Sequence, residues 1–329
     1  MTKDSRNLIW IMGEGGLLGS SLSSQSQFHS TLFCLWDCAK KFDWKNPLPL
    51  RIQFKEAIQK FQAEVGRYSS WTLLWAAGSG VIGSSDNGLK LETDNFIFFL
   101  ETLKEQFQGN FIDGHFFLAS SAGGVWAGSQ TLPISESAIA CPVSEYGRQK
   151  LKQEEALIRL ATAHSELKVM IGRISNLYGN RQNMSKPQGL LSQLCRSTLL
   201  RVPLNIFVPQ ETIRDYIFTD DCAELIFRSL QTLWQSKSDS NILLKIFASG
   251  EPASIRTILA CLHRLTKREP MIICPPQAVS HQHPLELSFK TQVLVESYTC
   301  RPLIEGLKLV LDYQESLLQL GQLPYPEAS

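Results

Sequence analysis

The run Asn7-Leu-Ile-Trp-Ile-Met12 leads directly into the turn Gly13-Glu-Gly-Gly-Leu-Leu-Gly19, and this stretch decides the fold. A short apolar run that ends at a glycine is typical of a strand buried on both faces of a parallel sheet. Glycine at positions 13, 16 and 19 lets a backbone approach a pyrophosphate closely where a helix begins. Glycine-rich turns also arise for packing reasons. The stretch therefore predicts a strand, a turn and a helix, with a bound dinucleotide as the favoured reason for the glycines.

Apolar runs and helical spacings alternate along the following residues. We expect strands near residues 31–36, 71–76, 116–120, 168–174 and 241–248, and helices near residues 54–65, 95–107, 146–164 and 220–233, the last capped by Asp220. Strands and helices in alternation are typical of right-handed crossovers between parallel strands. The sequence therefore predicts an α/β protein with a doubly wound parallel sheet.

The pattern becomes looser after Tyr178. We expect residues 213–218 to be extended, and we expect helices near residues 190–199, 254–265 and 303–317. These elements indicate a smaller, mixed α/β domain towards the C-terminus. We predict a nucleotide-binding domain of residues 1–178 plus about 209–250, and a substrate-binding domain of about 179–208 plus 251–329.

The composition excludes several classes of protein. The 329 residues are 43% apolar, which excludes disorder over most of the length. There are 32 Lys and Arg against 31 Asp and Glu, so no bulk charge attracts nucleic acid or an anionic membrane. The longest apolar stretches, such as residues 71–82, fall short of the roughly 20 residues of a membrane span, and residues 1–7 do not resemble a signal peptide.

The eight cysteines form no CxxC pair and lie mostly in apolar runs. This pattern indicates reduced, buried thiols and a cytoplasmic protein. His281 and His283 are interpreted as loop residues rather than metal ligands, because no third ligand stands nearby. We therefore expect no metal site.

Asp37 ends the second apolar run, where an acid can accept hydrogen bonds from an adenosine ribose and repel a 2′-phosphate. This position favours NAD over NADP, although Lys40 and Lys41 keep NADP possible. Glu14 is an acid inside the glycine turn, and we expect its side chain to point to solvent.

Tyr146 and Lys150 form a YxxxK array, whose two polar residues share one face of a helix. An ordinary phenol is a poor base at neutral pH because its pKa is about 10, but a fixed cation beside it favours the phenolate. YxxxK is common on ordinary helix surfaces. Ser121, however, ends the preceding predicted strand, at the carboxyl edge where open α/β sheets bind ligands. Together the three residues indicate general acid–base chemistry.

With these motifs the sequence resembles the extended short-chain dehydrogenase/reductase superfamily, and within it the NAD-dependent sugar epimerase/dehydratase family typified by UDP-glucose 4-epimerase. The resemblance spans nearly the whole chain. Its marks, in order, are GEGGLLG at 13–19, Asp37, LWAAG at 74–78, Asn95 before a helix, SSAGGVWAG at 120–128, Glu136, YGRQK at 146–150, RISNLYG at 173–179, RQN at 181–183 and RDYIFTDD at 214–221. Two departures are Trp126, where the family usually has tyrosine, and the absence of an arginine from residues 280–286.

The resemblance implies a Rossmann-like fold that binds NAD. Tyr146 would be the general base, Lys150 would hold the nicotinamide ribose, and Ser121 would bond the reacting sugar oxygen. The residues that would hold the cofactor are Gly13, Gly16, Leu17, Leu18, Gly19, Asp37, Ala76, Ala77, Gly78, Tyr146 and Lys150.

The resemblance also implies contacts with a nucleotide-sugar substrate. Ser121, Asn176 and Arg214 would make them, with Arg214 on the nucleotide diphosphate. The other interpretation of Arg214 is an ion pair with Asp215, Asp220 or Asp221. Family members commonly pair through two long helices, so a homodimer through residues 95–107 and 146–164 is implied.

The implied reaction is NAD-dependent epimerisation of a nucleotide-diphosphate sugar through a transient keto-sugar. A 4,6-dehydratase would need an Asp-Glu pair after Ser121, where this chain has Ala122-Gly123. An NAD(P)H-dependent reductase or dehydrogenase of a keto-sugar or small alcohol would use the same three residues and stays open. A non-catalytic NAD-binding regulatory protein is disfavoured, because such proteins commonly lose the tyrosine or the lysine.

Overall fold

The computed structural model describes residues 3–38, 41–81, 83–184, 189–235, 240–274, 284–291 and 298–325. The strands are β1 (Asp4–Met12), β2 (Phe33–Leu35), β3 (Tyr68–Trp75), β4 (Gly114–Ser121), β5 (Lys168–Ile174), β6 (Asn176–Tyr178), β7 (Leu204–Asn205), β8 (Ile213–Arg214), β9 (Tyr216–Phe218), β10 (Ile242–Phe247), β11 (Ala253–Ser254), β12 (Ile272–Ile273) and β13 (Glu286–Leu287). The helices are α1 (Leu17–Phe28), α2 (Pro47–Val65), α3 (Asp86–Gln106), α4 (Ala122–Val125), α5 (Glu145–Ala163), α6 (Leu190–Leu200), α7 (Thr219–Gln235), α8 (Ile255–Thr266) and α9 (Leu303–Gln319).

Six parallel strands form the central sheet, in the order β10-β5-β4-β3-β1-β2. Helices α2, α3 and α5 cover one face, and α1 and α7 cover the other. Side chains alternate along β1, so that Leu8 and Trp10 enter the first core while Ile9 and Ile11 enter the second. Because both faces of β1 are buried, its sequence is apolar on both sides. The predicted doubly wound sheet is confirmed.

A third core lies in the second half of the chain, between α6, α8 and α9. Short strands surround it in three small sheets, β11-β8-β13, β12-β7 and β6-β9. This separate core supports the predicted division into two domains. The boundaries of the two domains remain a prediction.

The stretch predicted to be extended over residues 213–218 consists of two strands in different sheets. Asp215 separates them and is fully buried. Its carboxylate accepts hydrogen bonds from the hydroxyl groups of Ser175 and Ser249 and from the backbone of Ser249 and Gly250. The chain changes sheet at this residue because its carboxylate is held by the loops that follow β5 and β10.

Three predicted helix boundaries were wrong. The helix predicted to begin at Phe54 begins at Pro47, since a proline fits the first helical turn. Asn95 lies inside α3, not before a helix, because Ser85 caps that helix by accepting a bond from Gly88 N. Asp220 is not a cap either.

Helix α7 already begins at Thr219, so Asp220 falls within its first turn. The carboxylate of Asp220 accepts a hydrogen bond from the Ser21 hydroxyl of α1 instead.

In the described part of the chain, none of the helices combines the length and the apolar character that a membrane crossing requires.

Candidate active site

The glycine turn lies between β1 and α1, as predicted. Gly13 has a φ of +92°, and a Cβ atom there would lie 2.6 Å from Ala77 Cα. A Cβ on Gly19 would lie 2.1 Å from the carbonyl oxygen of Gly13. Both glycines are therefore required by close backbone approaches, at Gly13 to the residues that follow β3 and at Gly19 within the turn itself.

The N-terminus of α1 is open to an anion. Gly16 occupies the N-cap and has no side chain to bond the first N–H groups of the helix, and Leu17 and Leu18 open the first turn. Unpartnered N–H groups and the helix dipole favour a phosphate at such a position. Ala76 and Ala77 border the same turn, and Gly78 lies next to Lys150. These predicted residues therefore fit a dinucleotide that crosses the carboxyl edge of the sheet.

Gly19→Ala is expected to weaken NAD binding about tenfold or more, because backbone strain of 1–3 kcal/mol must be absorbed in the turn. Gly66→Ala is the matched control, since a Cβ at Gly66 meets nothing within 4 Å and the residue is helical. Calorimetric titration with NAD measures both variants. Equal affinities would contradict the role given to Gly19.

Asp37 stands two residues after the end of β2, close to where the sequence placed it. Glu14 is exposed, as predicted. Partial burial of its carboxyl group, and then the negative charge of Asp37, raise the pKa of Glu14. Two acids therefore contribute negative charge beside the glycine turn, which favours NAD over NADP. The exclusion of NADP remains a prediction.

Ser121, Tyr146 and Lys150 come together beside α4. An added Cβ on Gly124 would lie 2.9 Å from the Tyr146 ring and 3.2 Å from Ser121 Oγ, so both groups border one point. Lys150 Nζ lies 5.9 Å from the centre of the Tyr146 ring. The three predicted catalytic side chains are therefore neighbours at the carboxyl edge of β4.

Local sequence explains this placement. Ser121 ends β4 and caps α4, because its hydroxyl oxygen accepts a bond from Gly124 N. Ser144 caps α5 in the same way through Gly147 N, which puts Tyr146 in the first turn and Lys150 one turn later. A Cβ on Gly147 would lie 2.0 Å from the carbonyl oxygen of Gly124, so glycine allows α5 to touch α4.

Asn176 and Arg214 flank the buried Asp215. Asn176 is exposed, and its backbone N and side-chain Nδ2 both donate to Asp215 O. The Arg214 guanidinium donates to the carbonyl oxygens of Ile213, Pro284 and Leu285. The interpretation of Arg214 as an ion-pair partner of Asp215, Asp220 or Asp221 was wrong: Asp221 instead pairs with Arg301.

A sequence profile of the NAD dependent epimerase/dehydratase family matches residues 9–242. The chain belongs to this family. Membership confirms the predicted resemblance and the prediction of an NAD-dependent enzyme of the epimerase/dehydratase class.

Two curated relatives match part of this family member. UDP-glucose 4-epimerase of Azospirillum brasilense is 31% identical over 160 residues, which are 45% of this chain and 45% of that protein. The dTDP-4-dehydro-6-deoxyglucose reductase of Escherichia coli is 32% identical over 113 residues, 34% of this chain and 35% of that protein. The matched part is therefore less than half the length of either relative.

Solved structures show the same fold over nearly the whole chain. The UDP-glucose 4-epimerase of Thermotoga maritima with UDP-glucose has a TM-score of 0.75 at 19% identity, and covers 94% of this chain and 99% of its own. RMD of Pseudomonas aeruginosa with NADPH has a TM-score of 0.75 at 16% identity, and covers 96% and 99%. Both likenesses confirm the Rossmann-like fold of this epimerase/dehydratase family member.

A buried charge network lies under the site, and the sequence analysis missed it. Arg173 of β5 bonds the carboxylate of Glu154 of α5 at 2.6 Å and 3.0 Å, and the Ser120 hydroxyl donates to the same carboxylate. The Arg173 guanidinium stacks 4.2 Å from the Trp126 ring. An arginine within an otherwise apolar strand was the available signal, because a buried charge requires a partner.

A second missed residue is Glu92 of α3, whose carboxylate is 3.2 Å from Lys150 Nζ. No residue near Lys150 in the sequence indicated this pair.

Among the described residues, no three His, Cys, Asp or Glu side chains are grouped as a metal site would require. His281 and His283 lie outside the described residues.

Proposed function

We propose that the protein epimerises a nucleotide-diphosphate sugar through a transient keto-sugar, with NAD as the hydride acceptor and Tyr146 as general base. The observation that carries this proposal is the meeting of Ser121, Tyr146 and Lys150 at the carboxyl edge of the sheet, next to the glycine turn. General acid–base chemistry requires a base within reach of the reacting hydroxyl and a group that favours its ionised form.

Each side chain has a distinct part in the proposed reaction. The Tyr146 phenolate accepts the proton of a sugar hydroxyl, while the Ser121 hydroxyl bonds the same oxygen. Lys150 supplies a positive charge beside the phenol and a donor for the nicotinamide ribose. Bound NAD supplies a reversible hydride acceptor. When the keto-sugar presents its other face, the hydride returns to that face of the carbonyl carbon, Tyr146 returns the proton to the oxygen, and the carbon is inverted.

Asn176 and Arg214 support a nucleotide-sugar substrate. Asn176 follows the end of β5, whose Ile174 pairs with Ser121, so the asparagine lies at the same edge as the catalytic residues. Arg214 lies in strand β8, directly before the buried Asp215 that Asn176 contacts, and within the described residues its guanidinium donates to carbonyl oxygens rather than to an acid. Its five N–H donors exceed those bonds, which leaves capacity for a diphosphate oxygen.

A keto-sugar reductase is the second candidate. Its support is the likeness to the reductase of Escherichia coli, and reduction would use the same three catalytic residues. The two reactions differ in net redox change, because an epimerase regenerates NAD in each turnover and a reductase consumes NAD(P)H.

The deciding experiment first identifies, by mass spectrometry, the dinucleotide that copurifies with the protein. NMR then follows a panel of nucleotide sugars, beginning with UDP-glucose. We expect one of them to be isomerised with no net change in NAD. Oxidation of added NAD(P)H in the presence of keto-sugars would instead establish the reductase. A protein that binds no dinucleotide would contradict both.

We further propose a homodimer through α3 and α5, which pack side by side on one face of the sheet. Light scattering after size-exclusion chromatography tests the homodimer, and a monomeric mass would contradict it.

We also propose a cytoplasmic location. The cysteines support it, because the structure forms no disulfide among them.

A further inference from the structure

One carboxylate joins two parts of the site that lie far apart in the sequence. Glu92 Oε1 accepts a hydrogen bond from Lys150 Nζ at 3.2 Å. Its other oxygen, Oε2, accepts bonds from the backbone N atoms of Ser79 at 2.9 Å and Gly80 at 3.0 Å. Both oxygens of one side chain are thereby used, one on the proposed catalytic lysine and one on the loop that follows β3.

We propose that Glu92 is a positioning residue that fixes Lys150 and the loop of residues 78–80 in one arrangement around the cofactor. The inference rests on the proposed function, which gives Lys150 its contact with the nicotinamide ribose. Glu92 acts through Lys150 and the loop, and does not itself touch the reacting atoms.

The hydrogen bonds of Lys150 show how the ammonium group is oriented. An ammonium has three N–H donors. Within the described residues, Glu92 Oε1 and Gln153 Oε1 each accept one, both at 3.2 Å. Gln153 Nε2 in turn donates to the hydroxyl of Thr93, the residue after Glu92. One acceptor lies on α3, and the other is held by a hydrogen bond to α3. The two together leave one N–H donor of Lys150 for a ligand.

The space around the pair is closely fitted. A Cβ added to Gly78 would lie 2.9 Å from Glu92 Oε1 and 3.4 Å from Lys150 Nζ. The Lys150 and Glu92 side chains are only 9% and 18% exposed. A lysine this deeply buried keeps its charge only with an opposite charge beside it, and Glu92 is the acid in contact with its Nζ.

The electrostatics of the pair agree with this geometry. Burial opposes the charge of Lys150, but the negative charge of Glu92, and then Tyr146 and Glu154, outweigh burial and raise the pKa of Lys150. Burial likewise opposes ionisation of Glu92, but Lys150 and the N–H groups of Gly80 and Ser79 lower the pKa of Glu92. Glu154 is itself paired with Arg173, so Glu92 is the closest compensating charge from another helix.

Protonation of Lys150 tests the inference without any assay of activity. In protein labelled with ¹³C and ¹⁵N lysine, the Lys150 signal is identified by its absence from Lys150→Met. We expect the ammonium in Glu92→Gln to lose its proton at lower pH than in the unaltered protein. Glu92→Asp keeps the charge and should restore most of the difference. Glu101→Gln, at an exposed position of the same helix, should change nothing.

Calorimetry with NAD supplies the second readout. We expect Glu92→Gln to bind NAD about tenfold more weakly at alkaline pH, where Lys150 has lost its charge, since one unit of pKa corresponds to a factor of ten. The difference should shrink towards pH 6. Equal Lys150 titrations, or equal NAD affinities at every pH, would overturn the inference. If the protein binds NAD but isomerises no sugar, the proposed function fails while both readouts still decide the role of Glu92.

Discussion

Tyr146→Phe is expected to lower the rate of isomerisation by about 10²–10⁴-fold, the usual contribution of a positioned acid–base group. The phenyl ring keeps the packing of Tyr146 against Gly124 but removes the group that accepts the proton. Affinity for NAD should fall by less than about tenfold, because one hydroxyl contact is lost while Lys150 and the glycine turn stay in place. NMR of reactions quenched at successive times measures the rate of isomerisation, and calorimetry measures the affinity for NAD.

Tyr313→Phe is the matched control for this variant. Tyr313 is 37% exposed and lies on α9, a helix that packs in the third core rather than on the central sheet. We expect it to leave the rate unchanged. Full activity in Tyr146→Phe would remove the general base from the mechanism, and the family fold would then serve a different chemistry.

Arg173→Met is expected to lower the free energy of unfolding by about 3–5 kcal/mol, because it leaves the Glu154 carboxylate buried without its cation. Arg173 and Glu154 are 5% and 1% exposed, so water cannot replace the lost partner. Urea denaturation followed by fluorescence measures the change.

Arg67→Met controls for the removal of an arginine. Arg67 pairs with Glu64 at the surface, with 72% of its side chain exposed, and such pairs contribute less than about 1 kcal/mol. The double variant Arg173→Met, Glu154→Gln should recover part of the lost stability, since the uncompensated charge is gone. An Arg173→Met protein as stable as the Arg67 control would show that the buried pair contributes little.

The central sheet could be predicted because its information is local. Strand β1 is apolar on both faces and is followed by glycine, and β3, β4 and β5 likewise bury apolar side chains in both cores. The pairing of Tyr146 with Lys150 could be predicted equally well, since one helical turn separates the two residues.

Boundaries depend on details that periodicity does not contain. The residues Asp86-Asn-Gly before Leu89 look like a loop, yet the cap at Ser85 starts α3 there. The sequence also offered Asp220 as a cap, but its carboxylate bonds Ser21, a residue 199 positions away.

Residues of the site have partners that are distant in the sequence as well. Glu92 and Lys150 are 58 positions apart, and they meet only because α3 packs on α5. Arg214 finds its acceptors at Pro284 and Leu285, 70 and 71 positions later. Such pairs follow from tertiary packing, which no pattern in a single sequence reports.

The contact of Gly147 with Gly124 places the main chains of α5 and α4 against each other with no side chain between them. The separation of the phenol from the serine hydroxyl is consequently a property of the scaffold. Residues that border the rest of the site can therefore be exchanged, by evolution or by engineering, to admit a different substrate while the groups of the proposed chemical step keep their geometry.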